Sequence, residues 1–254
     1  MKRLIIFIFV ILLVFTGCKK KVETTPGRIK KGTPEYALNM GVYYLNEGKL
    51  NLARKQLLKA IKKRPNMVRA LSGLGIVCIY KREFKKGIKY FKKVLMISPK
   101  YHDANNFLGL IYTELGKYDL AKENLLIAAN SDTYSNPENA FQNLAKLELN
   151  RKKYNSAMRY VDKGLAIDAN FAPLLDMKGL IYETQKNYYE AIKYFKKARS
   201  VLTKDDVNYL INMGRVYIKM GNKNEALDIL EKALSTAVAG NVRALIRKMI
   251  KKID

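Results

Sequence analysis

Apolar, small and polar residues recur along this chain with a period far longer than that of any single helix or strand. The segment "LNMGVYYLNEGKLNLARKQLLKAIKKRP" from Leu38 and the segment "FLGLIYTELGKYDLAKENLLIAA" from Phe107 share it. Each carries Gly-x-x-Tyr, an Ala nine residues after that Tyr, and a second Ala seven residues further on. One small residue marks the register at Gly41, Gly75, Gly109, Ala145, Gly179 and Gly214, in steps of 34, 34, 36, 34 and 35. A second falls twelve places later, at Ala53, Gly87, Ala121, Ala157, Ala191 and Ala226. A large apolar residue follows at Leu57, Phe91, Leu125, Val161, Phe195 and Leu230. Pro65 and Pro99 close the first two periods, where proline blocks further helix. After the sixth period, Asn241 to Ile253 predicts one more helix. Val242, Leu245, Ile246, Met249, Ile250 and Ile253 share a stripe, and basic residues cover the opposite face.

This register resembles the tetratricopeptide repeat, a helix–turn–helix unit of 34 residues. Counted from the first helical residue of each unit, the small residues fall at positions 8 and 20 and the large one at position 24. Small residues there let the two helices of a pair approach closely, while larger ones fill the layers between repeats. The resemblance implies an all-α, right-handed α-solenoid of six repeats over residues 34–254. The terminal helix would act as a cap on the apolar face that the last repeat otherwise leaves in water. Its basic side is expected to be a solvated surface.

The front of the chain is different. After Met1-Lys2-Arg3, the run Leu4 to Phe15 holds twelve residues and none that is polar. A membrane-spanning helix needs about 20, so this run reads as a secretory signal over residues 1–17. Thr16-Gly17-Cys18 resembles a bacterial lipobox, with Phe15 in place of the usual leucine. That resemblance implies cleavage before Cys18, acylation of that cysteine, and a lipid anchor facing the periplasm on the outer membrane. An uncleaved short anchor with an incidental Cys18 is the other reading. Residues 18–33 then form a lipidated, flexible basic tether, reaching roughly 20 Å as a coil.

Composition narrows the function. Of the two cysteines, Cys18 is assigned to lipid, which leaves Cys78 without an intramolecular partner and excludes a disulfide-built fold. Lysine and arginine total 48 against 22 acids, a net charge of +26. Such a balance fits nucleic acid, anionic lipid or mere solubility; nucleic acid is a poor fit for an exported chain. An AT-rich genome, which would also explain the Lys, Ile, Asn and Tyr content, is the plainer cause. One reading keeps Lys85, Lys86, Lys89, Lys92 and Lys93 as a polyanion-binding face.

Catalytic chemistry is thinly represented. The single histidine, His102, opens the third repeat beside Asp103 and is expected to be a helix-start residue. Cys78 occupies the packing position that tyrosine holds in four other repeats, so it reads as a core thiol. Carboxylates such as Glu47 and Asp119 are scattered, and no phosphate loop, nucleophile elbow or zinc-protease pair occurs. The expectation is a non-enzyme with no metal, cofactor or small-molecule substrate. What remains is the surface lined by the first helix of each repeat. By resemblance to other tetratricopeptide domains, the groove residues are Asn39, Val42, Ile76, Asn106, Phe107, Leu110 and Asn143. Their apolar side chains and amides suit an extended or helical protein segment. Leu38 and Val42 stand where a two-carboxylate clamp for chaperone tails needs Lys and Asn, so that specialisation is not expected.

As a whole the chain resembles the pilotin lipoproteins of type IV pilus systems, in the order lipobox, tether, six repeats and thirteen helices. The most similar stretch runs from Asn105 to Ala157. It includes "TYSNPENAFQNL", which fills the longer step between repeats three and four. The resemblance implies a protein partner, a secretin subunit of the pilus system, whose localisation and assembly the chain would assist. A general periplasmic scaffold lipoprotein, serving envelope enzymes or outer-membrane assembly, shares every feature except that junction.

Overall fold

The structure is a computed structural model that describes residues 30–203 and 206–253. The apolar run Leu4 to Phe15, Cys18 and most of the tether lie outside the described residues. Thirteen helices and no strand occur among those described. They are α1 (Pro34–Asn46), α2 (Leu50–Lys63), α3 (Val68–Tyr80), α4 (Phe84–Ile97), α5 (His102–Glu114), α6 (Tyr118–Ala129) and α7 (Pro137–Asn150), followed by α8 (Tyr154–Ile167), α9 (Ala172–Thr184), α10 (Tyr188–Ser200), α11 (Val207–Met220), α12 (Lys223–Thr236) and α13 (Gly240–Ile250). α1 packs on α2, α3 on α4, α5 on α6, α9 on α10 and α11 on α12, while Ala145 of α7 shares a core with Ala157 and Val161 of α8. Two compact units result, divided between Asn143 and Leu144 inside α7.

Volume at two register positions sets how close each helical pair comes. A Cβ added to Gly75 or Gly179 would lie 2.5 Å from the ring of Phe91 or Phe195. The same addition at Gly41, Gly109 and Gly214 would lie 2.6, 2.4 and 2.6 Å from Leu57, Leu125 and Leu230. No real pair of carbons sits that close, so glycine is required where position 24 is large. In the fourth repeat position 8 is Ala145, and its partner shrinks to Val161; both are fully buried. The pair conserves volume, as close packing demands. Position 20 proves tight on two sides: a Cβ on Gly87 would meet Ile111 of the next pair at 3.0 Å and Cys78 of its own at 3.5 Å.

The turn inside each pair is equally regular. Position 15 takes positive φ in all six repeats: Gly48 (67°), Arg82 (56°), Gly116 (70°), Lys152 (58°), Lys186 (61°) and Gly221 (77°). The next N–H then reaches back to the carbonyl of position 11, at distances between 2.8 Å (Lys49 to Tyr44) and 3.0 Å (Asn222 to Tyr217). This is the glycine-favouring helix stop that satisfies carbonyls a helix end otherwise leaves bare. Three repeats accomplish it with a basic residue.

The terminal helix follows the expectation in position but not in detail. Ile246 is fully buried and Ile253 nearly so against the last pair. Leu245, placed on the apolar stripe by its spacing, is instead 37% exposed. Arg243 is not part of a solvated basic face: its Nη1 donates to the carbonyls of Leu234 and Ala237, both at 3.0 Å, and so caps the end of α12.

Candidate functional site

In the first unit, α3 packs against both α1 and α5. Position 9 of these three helices holds Val42, Ile76 and Leu110, which therefore form one row. All three are half-buried, as are Asn39 at one end and Asn143 at the other. Val42 and Ile76 pack in part against the first unit's core and keep part of their surface open, and water leaves such apolar surface when it is covered.

Two of the expected groove residues are placed otherwise. Phe107 is 8% exposed, and its ring stacks on Phe91 with centroids 5.1 Å apart. It fills the layer between α4 and α5 instead of lining the row. Asn106 is buried, and its amide is already paired: Oδ1 accepts from Asn143 Nδ2 at 2.8 Å, and Nδ2 donates to the Tyr134 hydroxyl at 3.4 Å. An amide so engaged is not free to satisfy a partner's backbone.

The longer step between repeats three and four explains that engagement. Its extra length lets Tyr134 fold back over α5, where its hydroxyl donates to Asp103 Oδ1 at 3.2 Å. Burial raises the Tyr134 hydroxyl far above its ordinary range, and it raises the Asp103 carboxyl as well. His102 is held beside them, its Nε2 2.8 Å from Ser131 Oγ and 3.1 Å from Thr133 Oγ1. The junction is thus a locked polar plug at one end of the row. Its residues are legible in the sequence, but nothing in their spacing announces the pairing.

The second unit presents charge at the corresponding register positions. Glu183 of α9, 7% exposed, accepts from Arg215 Nε at 2.8 Å and Nη2 at 2.7 Å, and from Lys219 Nζ at 2.8 Å. Burial pushes the Glu183 carboxyl up, but the two cations outweigh it and hold it below its ordinary range. Deeper along α9, Asp176 accepts from Asn212 Nδ2 at 2.9 Å. Burial raises its carboxyl to about 7, against the opposing pull of Asn212 and Arg215. Position 9, which carries the apolar row in the first unit, reads Lys146, Leu180 and Arg215 here, and Arg215 is tied down.

Cys78 is the core thiol its position predicts, 1% exposed, and burial raises its thiol against the pull of Arg54. Arg54 Nη2 lies 3.8 Å from that sulfur and donates to Glu83 Oε2 at 2.8 Å. Such a thiol is screened from reagents and is a poor nucleophile. Among the described residues, no group of three or more His, Cys, Asp or Glu is placed to hold a metal ion.

Comparison with known proteins agrees with this architecture. Family models described as tetratricopeptide repeat match residues 38–102, 102–128 and 171–237. The chain is similar to the type IV pilus assembly protein PilF of Pseudomonas aeruginosa, 28% identical over 193 residues, which cover 74% of this chain and 76% of that one. Among solved structures it is similar to PilW, a type IV pilus biogenesis factor, with a TM-score of 0.71 at 18% identity over 84% of this chain and 98% of that one. It is equally similar to the APC/C hetero-tetramer Cut9-Hcn1, with a TM-score of 0.72 at 18% identity over 87% of this chain. There the chain spans 43% of the matched length. The two structural likenesses show the fold.

Proposed function

This chain is a tetratricopeptide repeat protein, and we propose that it binds a segment of another protein along the row Val42, Ile76 and Leu110. Asn39 flanks that row and offers its amide to the segment's backbone, while Asn143 at the other end donates to Asn106. We assign the partner to a type IV pilus system, as an outer-membrane secretin subunit whose localisation the chain assists. Lipid on Cys18 would hold the complex at the periplasmic face of the outer membrane. Binding, not catalysis, is the activity; metal, cofactor, nucleic acid and small-molecule substrate have no part in it.

The single observation behind the binding mode is the contrast at position 9. In the first unit it is apolar and half-buried in all three repeats, whereas in the second it reads Lys146, Leu180 and Arg215, so the apolar row is broken at both ends and the arginine is committed to Glu183. Support for the pilus assignment is the similarity to PilF across 76% of that protein's length, together with the longer junction between repeats three and four.

The test is a pull-down of secretin multimers from detergent-solubilised outer membranes. Ile76→Ser with Leu110→Ser should lower apparent affinity about tenfold or more, since 1.4 kcal/mol is a factor of ten. High salt should weaken wild-type binding only modestly, because apolar contact is not screened. Phe107→Ala is the wrong probe, as its stack on Phe91 would register as lost stability. Cys18→Ser should leave binding intact and release the chain from the membrane. Full secretin binding by the Ile76/Leu110 variant would refute the row as the site. An unmodified Cys18 in the mature native protein would refute the anchor.

A further inference from the structure

The positive charge of this chain is not spread evenly over its outward helices. α2 carries five cations and no acid, and α4 likewise carries five cations and no acid. The other second helices differ: α6 has one cation and two acids, α8 two and one, α10 four and one, and α12 two and three. A lysine-rich composition acting alone would favour no two helices in this way. The excess belongs to repeats one and two.

Lys55, Lys59 and Lys62 of α2 and Lys89, Lys92 and Lys93 of α4 are all exposed. Exposed aliphatic side chains stand among them: Leu52 and Leu58, each 43% exposed, and Met96, 84% exposed. Lysine stems with free ammonium heads, interleaved with single aliphatic groups, are the make-up of a surface that lies in a lipid headgroup layer. A single-stranded nucleic-acid site would instead need exposed aromatic platforms, and Tyr90 of α4 is packed into the first unit's core.

A second observation concerns where the chain leads into the domain. Lys63 Nζ donates to the Gly32 carbonyl, and Arg64 Nη2 lies 2.7 Å from Glu35 Oε1. These contacts pin residues 32–35 to the C-terminal end of α2. Residues 32–35 therefore enter the domain at the edge of the basic face.

We propose that the exposed faces of α2 and α4 form a docking surface for an anionic phospholipid bilayer. The contact holds the first unit against the membrane. It does not depend on the secretin assignment, since it requires no partner protein. Each lysine that reaches an anionic surface adds roughly fivefold to the membrane affinity, so several together would convert a loose tether into a fixed pose.

The experiment is lysine footprinting. Full-length protein is reconstituted into vesicles of phosphatidylcholine alone or with one third phosphatidylglycerol, treated with an amine-acylating reagent and read by mass spectrometry. Anchoring through the N-terminal segment is common to both vesicles. The expected result is an about threefold or greater fall in acylation of Lys55, Lys59, Lys89, Lys92 and Lys93 with the anionic lipid only. Lys193 and Lys196 of α10 should be unchanged and serve as internal controls. Uniform reactivity on both vesicles, or equal protection on the neutral one, would overturn the proposal. Equal protection by heparin without vesicles would overturn it too, by showing that the face reads any polyanion. A Lys85/Lys89/Lys92/Lys93→Gln variant that keeps its helical melting temperature should lose the protection of Lys55 and Lys59.

Discussion

Six residues hold positive φ at the same register position, and three of them are not glycine. Left-handed backbone costs an L-residue roughly 1–2 kcal/mol, and glycine returns some of that gain through its larger unfolded-state entropy. Lys152→Gly and Lys186→Gly should therefore each stabilise the protein by about 0.5 kcal/mol in urea melts, while Gly116→Ala should cost about 1 kcal/mol. The side chains of Lys152 and Lys186 are exposed, so little packing confounds the comparison. If both lysine substitutions destabilise, the strain at position 15 is offset by contacts that backbone geometry does not reveal. No pattern of hydrophobic and polar residues carries this feature. Glycine at Gly48, Gly116 and Gly221 hints at it, but the basic residues in the other three repeats conceal it.

Between elements, the pairing of α9 with α11 sets two carboxylates in opposition. Asp176 is raised to about 7, above the ordinary aspartate value of about 3.9. In that window the folded state holds more protons than the unfolded one, so stability falls as pH rises from about 4 to about 7. Glu183 is depressed by Arg215 and Lys219, so its contribution is present at higher pH and is lost only as pH falls below its unfolded value of about 4.3. Asp176→Asn retains an acceptor for Asn212 and removes the titration. Its stability relative to wild type should climb between pH 4 and pH 7 and change little above; a flat difference across that range would contradict the burial of this carboxyl. The sequence made the helical pairs legible because their packing rests on two volumes, a small residue at position 8 and a large one at position 24. It set Val42, Ile76 and Leu110 at one register position for the same reason, whereas Asn106 and Phe107, expected beside them, are engaged in the interior. It did not show Tyr134 returning to Asp103, nor Arg215 meeting Glu183. Those contacts join side chains 31 and 32 residues apart, and long flexible groups have no register to betray their partners.

At the scale of the whole molecule, stability in a repeat protein is a sum of local terms, because each pair touches only its neighbours. The terminal helix offers a direct test. α13 buries Ile246 completely against the last pair, and Arg243 supplies two donors to the bare carbonyls at the end of α12. Deleting residues 240–254 would strip apolar cover from α12 and leave the Leu234 and Ala237 carbonyls without these donors. Losing the Ile246 contact alone should cost roughly 2–5 kcal/mol, the range for removing a large buried aliphatic side chain. That loss should be felt where it is made. Amide hydrogen exchange in α11 and α12 should accelerate strongly in the truncated chain, while α1 to α4, which belong to the first unit, should keep their wild-type protection. Arg243→Ala in the intact chain should reproduce a smaller part of the same effect, confined to the last turn of α12. Uniform loss of protection from α1 to α12 would mean that the chain unfolds as one cooperative body, and the picture of local sums would fail.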